Sequence, residues 1–165
     1  MGNTTNIKIS VDTLALQNLS NGTQPPTNDG ISWAVLSQSG KGTGTQTNKP
    51  GTQTNDPSLF LSDIYKDDII TWSGEAPIVD NPRFPGQNLR PIIHITGIDF
   101  IYTDDSGVCF DMPWITTPTD GTGSTVSTKA LKTISSPITY HIKFEIVYKQ
   151  RVLDPKIKIS SPPSR

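Results

Sequence analysis

Alternating apolar and polar side chains mark segments near both ends of the chain. Near the N-terminus, the segment NIKISV is apolar at every second position, as in a β-strand with one buried face. Near the C-terminus, ITYHIKFEIVY continues the same alternation, and PKIKI adds a shorter strand. The apolar positions of these three predicted strands are Ile7, Ile9, Val11, Ile138, Tyr140, Ile142, Phe144, Ile146, Tyr148, Ile157 and Ile159.

Between these ends, shorter apolar runs are separated by turn residues. The runs ISWAVLSQ, SLFLSDI, DIITW and VCFDM are short enough for core strands, and PIIHITGIDFIYT is a longer apolar run. Lys66, Asp67 and Asp68 form a predicted turn between two of them, and DDSG at Asp104–Gly107 predicts a hairpin turn before VCFDM. Gly97 interrupts the longest run and predicts a bulge or bend there.

Few segments predict anything other than strands and loops. Helical turns are predicted only near Leu14–Leu19 and Lys129–Ile134. Gly74–Pro91 and Pro113–Gly123 are predicted to be irregular, since proline and glycine break regular elements. About eight or nine strands without α/β alternation predict one all-β domain over residues 1–165, an antiparallel β-sandwich with Greek-key or jelly-roll connections. The pattern leaves the strand order open.

A tandem repeat separates two of the predicted strands. Residues Gly44–Pro57 read GTQTNKPGTQTNDP, one seven-residue unit written twice with Lys49 replaced by Asp56. The repeat contains no aliphatic, aromatic or histidine residue, so it cannot bury surface against its own copy as solenoid repeats do. We therefore predict that residues 40–57 form a flexible loop with a tolerated duplication, and that residues 160–165 form a disordered tail.

Composition and charge exclude several classes of partner. Hydrophobic residues make up 33% and charged residues 18% of the chain, and the formal net charge is -1. Nucleic-acid binding needs a basic face and lipid binding a polybasic patch, so neither partner is predicted. No apolar run approaches the roughly 18 residues of a membrane span, and MGNTTNIKIS does not have the pattern of a signal peptide. The sequence therefore predicts a soluble cytoplasmic protein.

The residues that could carry catalysis are few. Cys109 is the sole cysteine, which excludes an intramolecular disulfide and a cysteine-based zinc site. The two histidines, His94 and His141, lie within predicted strands, and the sequence holds no known catalytic motif. In GKGTG at Gly40–Gly44 no serine or threonine follows the lysine in the place that a phosphate-binding loop requires, and no helix is predicted after it. We therefore predict no enzymatic activity and no cofactor, with a histidine-based hydrolase as the weakest alternative.

Neighbouring acidic residues are candidates for a calcium site. They occur at Asp67–Asp68, Asp80–Asn81 and Asp104–Asp105. None has the spacing of an EF-hand loop. Turn formation explains DDSG more simply, because aspartate and serine bond their own backbone and glycine accepts a positive φ.

The three tryptophans are candidates for a sugar-binding surface, since an exposed indole stacks on the apolar face of a pyranose. Trp33 and Trp72 lie in apolar runs and are predicted to be core residues. Trp114 lies between prolines and is predicted to stand in a loop, where it would plug the sandwich, join a subunit interface or bind a ligand. Trp114, Asp104 and Asp105 together make the candidate ligand site of a lectin-like module.

The order of these landmarks resembles the inclusion body protein family, the AidA/PixA group of bacteria. Members of that family have a VDT-like end to the first strand, a G-D-x-I-x-W element, a Y-H-F/I-x-F strand and a D-P-x-I-x-I finish. The matching segments here are Val11–Thr13, Asp68–Trp72, Tyr140–Phe144 and Asp154–Ile159. The resemblance implies a β-sandwich without enzymatic activity that associates with itself as a homo-oligomer. The family has no established catalytic residues to carry over.

Two positions depart from the family pattern. Asp67 stands where the glycine of the G-D-x-I-x-W element is expected. Met1 and Met112 are the only methionines, which does not fit the sulfur storage expected of a methionine-rich inclusion protein.

Overall fold

The parts of the chain that the structure describes consist of strands joined by turns and loops, and no helix occurs among them. The computed structural model describes residues 2–11, 34–40, 46–47, 60–80, 84–146 and 149–162. These residues form thirteen β-strands, nine of which have five or more residues. That number agrees with the eight or nine strands predicted from the sequence.

Five strands form the first sheet, which we call sheet I. They are β1 (Thr4–Val11), β2 (Ala34–Gly40), β5 (Ile69–Glu75), β9 (Trp114–Thr116) and β10 (Thr125–Lys129). Their spatial order is β2-β1-β5-β10-β9. The pair β1/β5 is parallel, and the other three pairs are antiparallel.

Six strands form the second sheet, sheet II. They are β3 (Gln46–Thr47), β4 (Leu61–Tyr65), β8 (Ile93–Phe100), β11 (Ile138–Ile146), β12 (Lys149–Leu153) and β13 (Lys156–Ser160). β11 lies between β8 and the pair β12 and β13. β13 continues in parallel to β4, which pairs with β3. A small separate ladder joins β6 (Val79–Asp80) to β7 (Asn88–Leu89).

The two large sheets pack face to face around an aliphatic and aromatic core. Trp72 of sheet I and Tyr140 of sheet II are both fully buried, with their ring centroids 5.7 Å apart. The indole Nε1 of Trp72 donates a hydrogen bond to the Tyr140 hydroxyl at 3.2 Å. Burial raises the pKa of Tyr140, so this hydroxyl stays protonated. This contact across the two layers confirms the predicted all-β sandwich. Its two sheets are mixed and not purely antiparallel, because β1/β5 and β4/β13 are parallel pairs.

The strand predictions at both ends of the chain are confirmed. In β1 and β11 every predicted apolar position up to residue 146 is buried, because the alternating side chains point into the space between the sheets. Gly97 also marks a bulge. Lys143 faces Gly97 while Phe144 faces Ile95, so Thr96 is the extra residue on β8.

Several predicted elements differ in the structure. VCFDM forms no strand and contributes one bridge, Phe110 with Ala130. No helical turn forms at Lys129–Ile134, because Lys129 completes β10. Both segments predicted to be irregular contain short strands, β6 and β7 in Gly74–Pro91 and β9 in Pro113–Gly123. Leu14–Leu19 lies outside the described residues. An alternating pattern could not predict β6, β7 and β9, because strands of two or three residues are too short to show an alternation.

The boundaries of the domain, the loop and the tail stay predictions. Within the repeat, Gln46 and Thr47 form β3 and pair with Ser62 and Leu61. The second copy, residues 51–57, lies outside the described residues, as do residues 163–165 of the tail.

Candidate functional site

Trp114 lies on an edge strand, not in the loop predicted from the sequence. β9 pairs with β10 through the partners Trp114 with Ser127 and Ile115 with Val126. Its other side has no strand partner in the part of the chain that the structure describes. All three residues of β9 are exposed. The flanking residues Pro113 and Pro118 concealed this strand in the sequence.

Large apolar side chains are exposed along the chain leading into β9. We call residues 108–116 the edge segment. Val108 is 66% exposed, Met112 83%, Trp114 46% and Ile115 52%. The edge segment is nevertheless anchored, because the ring of Phe110 stacks on Phe100 at a centroid distance of 4.0 Å. It therefore presents apolar side chains from a fixed position beside β9, whose second side has no strand partner among the described residues.

The outer face of sheet I is rich in hydroxyl groups, and we call it the hydroxyl face. It is formed by the alternate positions of the five strands that point away from sheet II. Fifteen described side chains lie there, and nine of them are serine or threonine, namely Thr4, Ser10, Ser37, Ser39, Thr71, Ser73, Thr116, Thr125 and Ser127.

One row of this face crosses all five strands. The register of the four pairings places Ser39, Asn6, Thr71, Ser127 and Trp114 side by side, one residue from each strand. The hydroxyl oxygens of Thr71 and Ser127 are 2.9 Å apart and hydrogen-bonded. A hydroxyl is one donor and two acceptors, so this pair retains capacity for further hydrogen bonds. The row ends at the exposed indole.

The few charges on the hydroxyl face are compensated. Lys8 lies 3.3 Å from the Glu75 carboxylate, and Lys129 lies 3.2 Å from the carboxylate of Asp67 in the adjoining turn. These pairs are exposed and contribute little to stability. They leave the face close to electrically neutral.

Asp104 and Asp105 lie in a turn outside both sheets, so the structure does not place them on the hydroxyl face with Trp114. Ser106 closes this turn, because its Oγ accepts a hydrogen bond from the Thr103 backbone N–H at 2.9 Å. Gly107 has a φ of 51° and donates to the Thr103 carbonyl at 2.9 Å. The described residues contain no group of three or more side chains able to hold a metal ion. The predicted turn forms, but it is not a hairpin turn, because the VCFDM segment that follows it is not a strand.

The turn at Asp67 and Asp68 uses its carboxylates for structure. Asp68 is buried, and its two carboxylate oxygens accept hydrogen bonds from the backbone N–H groups of Asn3 and Tyr65 at 3.0 and 3.1 Å. Asp67 has a φ of 72°, in the left-handed region that favours glycine and that aspartate tolerates better than most residues. This backbone position gives a physical reason for the glycine expected there. Of the candidate at Asp80–Asn81, only Asp80 belongs to the described residues, at the end of β6.

His94, His141 and Cys109 do not form a catalytic cluster. His94 faces Glu145 and His141 faces Asp99 across the β8/β11 pair, on the outer face of sheet II. Cys109 is fully buried, and burial raises the pKa of its thiol against the opposing effect of the Lys132 charge. A buried protonated thiol is a poor nucleophile.

A cleft of about 390 Å³ opens at one end of the sandwich. Its walls include Glu75, Arg90, Ile92 and Thr122. Gly123 shapes it, because a Cβ at that position would lie 2.0 Å from the carbonyl oxygen of Ile93.

No helix in the described residues is long and apolar enough to cross a membrane.

Comparison with known proteins identifies the fold. No family model and no curated protein sequence matches the chain. Among solved structures, the chain is similar to the crystal structure of the inclusion body protein PixA from Burkholderia cenocepacia J2315. The TM-score is 0.65, the sequence identity is 8%, and the match covers 96% of each chain. A likeness at 8% sequence identity establishes the fold alone. The resemblance to the inclusion body protein family predicted from the sequence is therefore confirmed at the level of the fold.

Proposed function

We propose that this protein acts without catalysis, by associating with a second copy of itself through the edge segment. The observation that carries the proposal is the exposure of Val108, Met112 and Ile115 beside β9, a strand whose second side has no partner among the described residues. An exposed apolar edge strand is a template for pairing with another chain. The similarity to an inclusion body protein supports a structural role.

The expected contact joins β9 of one copy to β9 of the other. An antiparallel pair about a two-fold axis would make Ile115 its own cross-strand neighbour and would extend sheet I into the partner. Pro113 and Pro118 limit the paired stretch to the residues between them, since proline cannot donate to a strand ladder. A contact this short predicts a dimer that forms as concentration rises.

The test is the mass in solution, measured by light scattering after size-exclusion chromatography over a range of concentrations. We expect the unmodified protein to dimerise and Ile115→Lys to remain monomeric, because a lysine on each strand brings two like charges together. Ile78→Lys is the matched control, since Ile78 is 51% exposed but lies away from β9. A strictly monomeric native protein, or a dimer that survives Ile115→Lys, would contradict the proposal.

The cytoplasm is the location we propose for this association. The single cysteine, Cys109, is a buried free thiol, as is usual for proteins of a reducing compartment. Cell fractionation with an antibody to the protein tests this, and recovery in the culture medium would contradict it.

A further inference from the structure

We propose that the hydroxyl face binds a neutral polysaccharide, with Trp114 stacking on one sugar ring and the adjoining row supplying hydrogen bonds. This inference does not rest on self-association. Trp114 and Ile115 are successive residues of β9, so their side chains point to opposite faces of sheet I. The two activities therefore use different sides of the same strand.

The first support is the composition of the row beside Trp114. Ser127, Thr71, Asn6 and Ser39 follow one another across four strands, and each can both donate and accept hydrogen bonds. Strands are about 4.8 Å apart, so the row from Trp114 to Ser39 is about 19 Å long. This length suits a short stretch of an extended sugar chain and exceeds what a single sugar would occupy.

The second support is charge. Sugar hydroxyls are neutral, and a neutral ligand is best met by polar groups without unbalanced charge. Lys8 and Lys129 are the cations of the hydroxyl face, and each lies within 3.3 Å of a carboxylate. A phosphate-bearing or strongly anionic polymer finds no uncompensated cation among these side chains. The outer face of sheet II differs, because it carries Lys143, Asp99, His94 and Glu145.

The third support is the setting of the indole. Trp114 is 46% exposed, yet it is held by strand pairing to Ser127 rather than by a mobile loop. A rigid exposed aromatic ring loses little conformational entropy when a ligand stacks on it, and tryptophan is enriched among residues that dominate binding. Ser127 next to it is buried, so the hydrogen bonds to the sugar would come from the more exposed members of the row, Thr71, Asn6 and Ser39.

Native electrophoresis in gels that contain a polysaccharide tests the proposal. The probes are mixed-linkage β-glucan, xylan and galactomannan as neutral extended chains, with polygalacturonate as the anionic comparison. We expect retardation by at least one neutral probe, and binding weakened about tenfold or more in Trp114→Ala. The double variant Asn6→Ala/Ser39→Ala should weaken binding by a smaller factor.

The controls separate this site from the other surfaces of the molecule. Ile115→Lys should keep the retardation of the native protein, because its side chain lies on the opposite face, and this result would hold even if self-association is absent. Chelation of calcium should leave the retardation unchanged, since Asp104 and Asp105 lie off this face. The proposal is overturned if no neutral probe retards the protein, if only polygalacturonate does, if Trp114→Ala binds as the native protein does, or if a chelator abolishes binding.

Discussion

Trp72 and Trp114 belong to the same sheet and have opposite environments. Trp72 lies on the central strand β5, faces sheet II and is fully buried. Trp114 lies on the edge strand β9, faces away from sheet II and is 46% exposed. One indole donates its N–H to Tyr140 in the core, while the other ends a row of hydroxyl groups at the surface.

The difference shows that position within the sheet, and not residue type, decides what a large aromatic side chain does here. A central strand has neighbours on both sides and the second sheet above it, so its apolar side chains contribute to the core. An edge strand has one neighbour, and its side chains remain available for partners. Four substitutions or deletions test this contrast.

The largest effect is expected from Trp72→Ala. Truncating a buried tryptophan costs about 3–5 kcal/mol, and here it also removes the hydrogen bond to Tyr140. Urea unfolding followed by circular dichroism measures the free energy of unfolding. Trp114→Ala is the matched control and should stay within about 0.5 kcal/mol of the native protein. Equal losses in the two variants would contradict the contrast.

Asp68→Ala should have the next largest effect. Its carboxylate accepts hydrogen bonds from the backbone N–H groups of Asn3 and Tyr65, and each unsatisfied buried donor costs about 1–3 kcal/mol. The exposed Asp104 of the other acidic turn provides the comparison, and Asp104→Ala should leave the unfolding midpoint nearly unchanged. Thermal unfolding of the two variants side by side distinguishes a structural carboxylate from a surface one.

Gly123→Ala tests how closely the chain beside β10 approaches β8. A Cβ would lie 2.0 Å from the carbonyl oxygen of Ile93, so backbone must move, at a cost of about 1–3 kcal/mol. Gly97 is the control, because a Cβ there meets no atom within 4 Å. Gly97→Ala should be neutral, and destabilisation of both variants to the same extent would show that the close approach is not the cause.

The smallest effect is expected from deleting Gly51–Pro57, the second copy of the repeat. The deletion leaves β3 at Gln46–Thr47 in place. Halving the length of a loop changes its closure free energy by only about 0.6 kcal/mol. The melting temperature and the oligomer mass should both be preserved. A large fall in the melting temperature, or a changed oligomer mass, would show that the repeat has a structural role.

Much of the fold could be predicted from sequence because strand burial repeats every second residue. The core faces of β1, β11 and β13 and the bulge at Gly97 all followed from local pattern. The short strands β6, β7 and β9 could not be predicted, since they have too few residues for a periodicity and lie beside prolines and glycines.

The candidate site was predicted only in part. Trp114 was singled out as a ligand-binding residue, but it was expected in a loop and together with Asp104 and Asp105. Its neighbours in the structure are instead Ser127 and, one strand further, Thr71. The one sequence signal that could have indicated them is the abundance of serine and threonine at the polar positions of successive strands.

The sequence by itself determined where most of the long strands lie, which face of those strands is apolar and where the turns at Asp67 and Asp104 lie. These properties depend on neighbours a few positions apart along the chain. Only the tertiary structure decided that β1 and β5 are parallel, that β9 is an edge, and that one indole is buried and the other exposed. The hydroxyl row joins residues 6, 39, 71, 114 and 127, and such long-range pairing leaves no local pattern in the sequence.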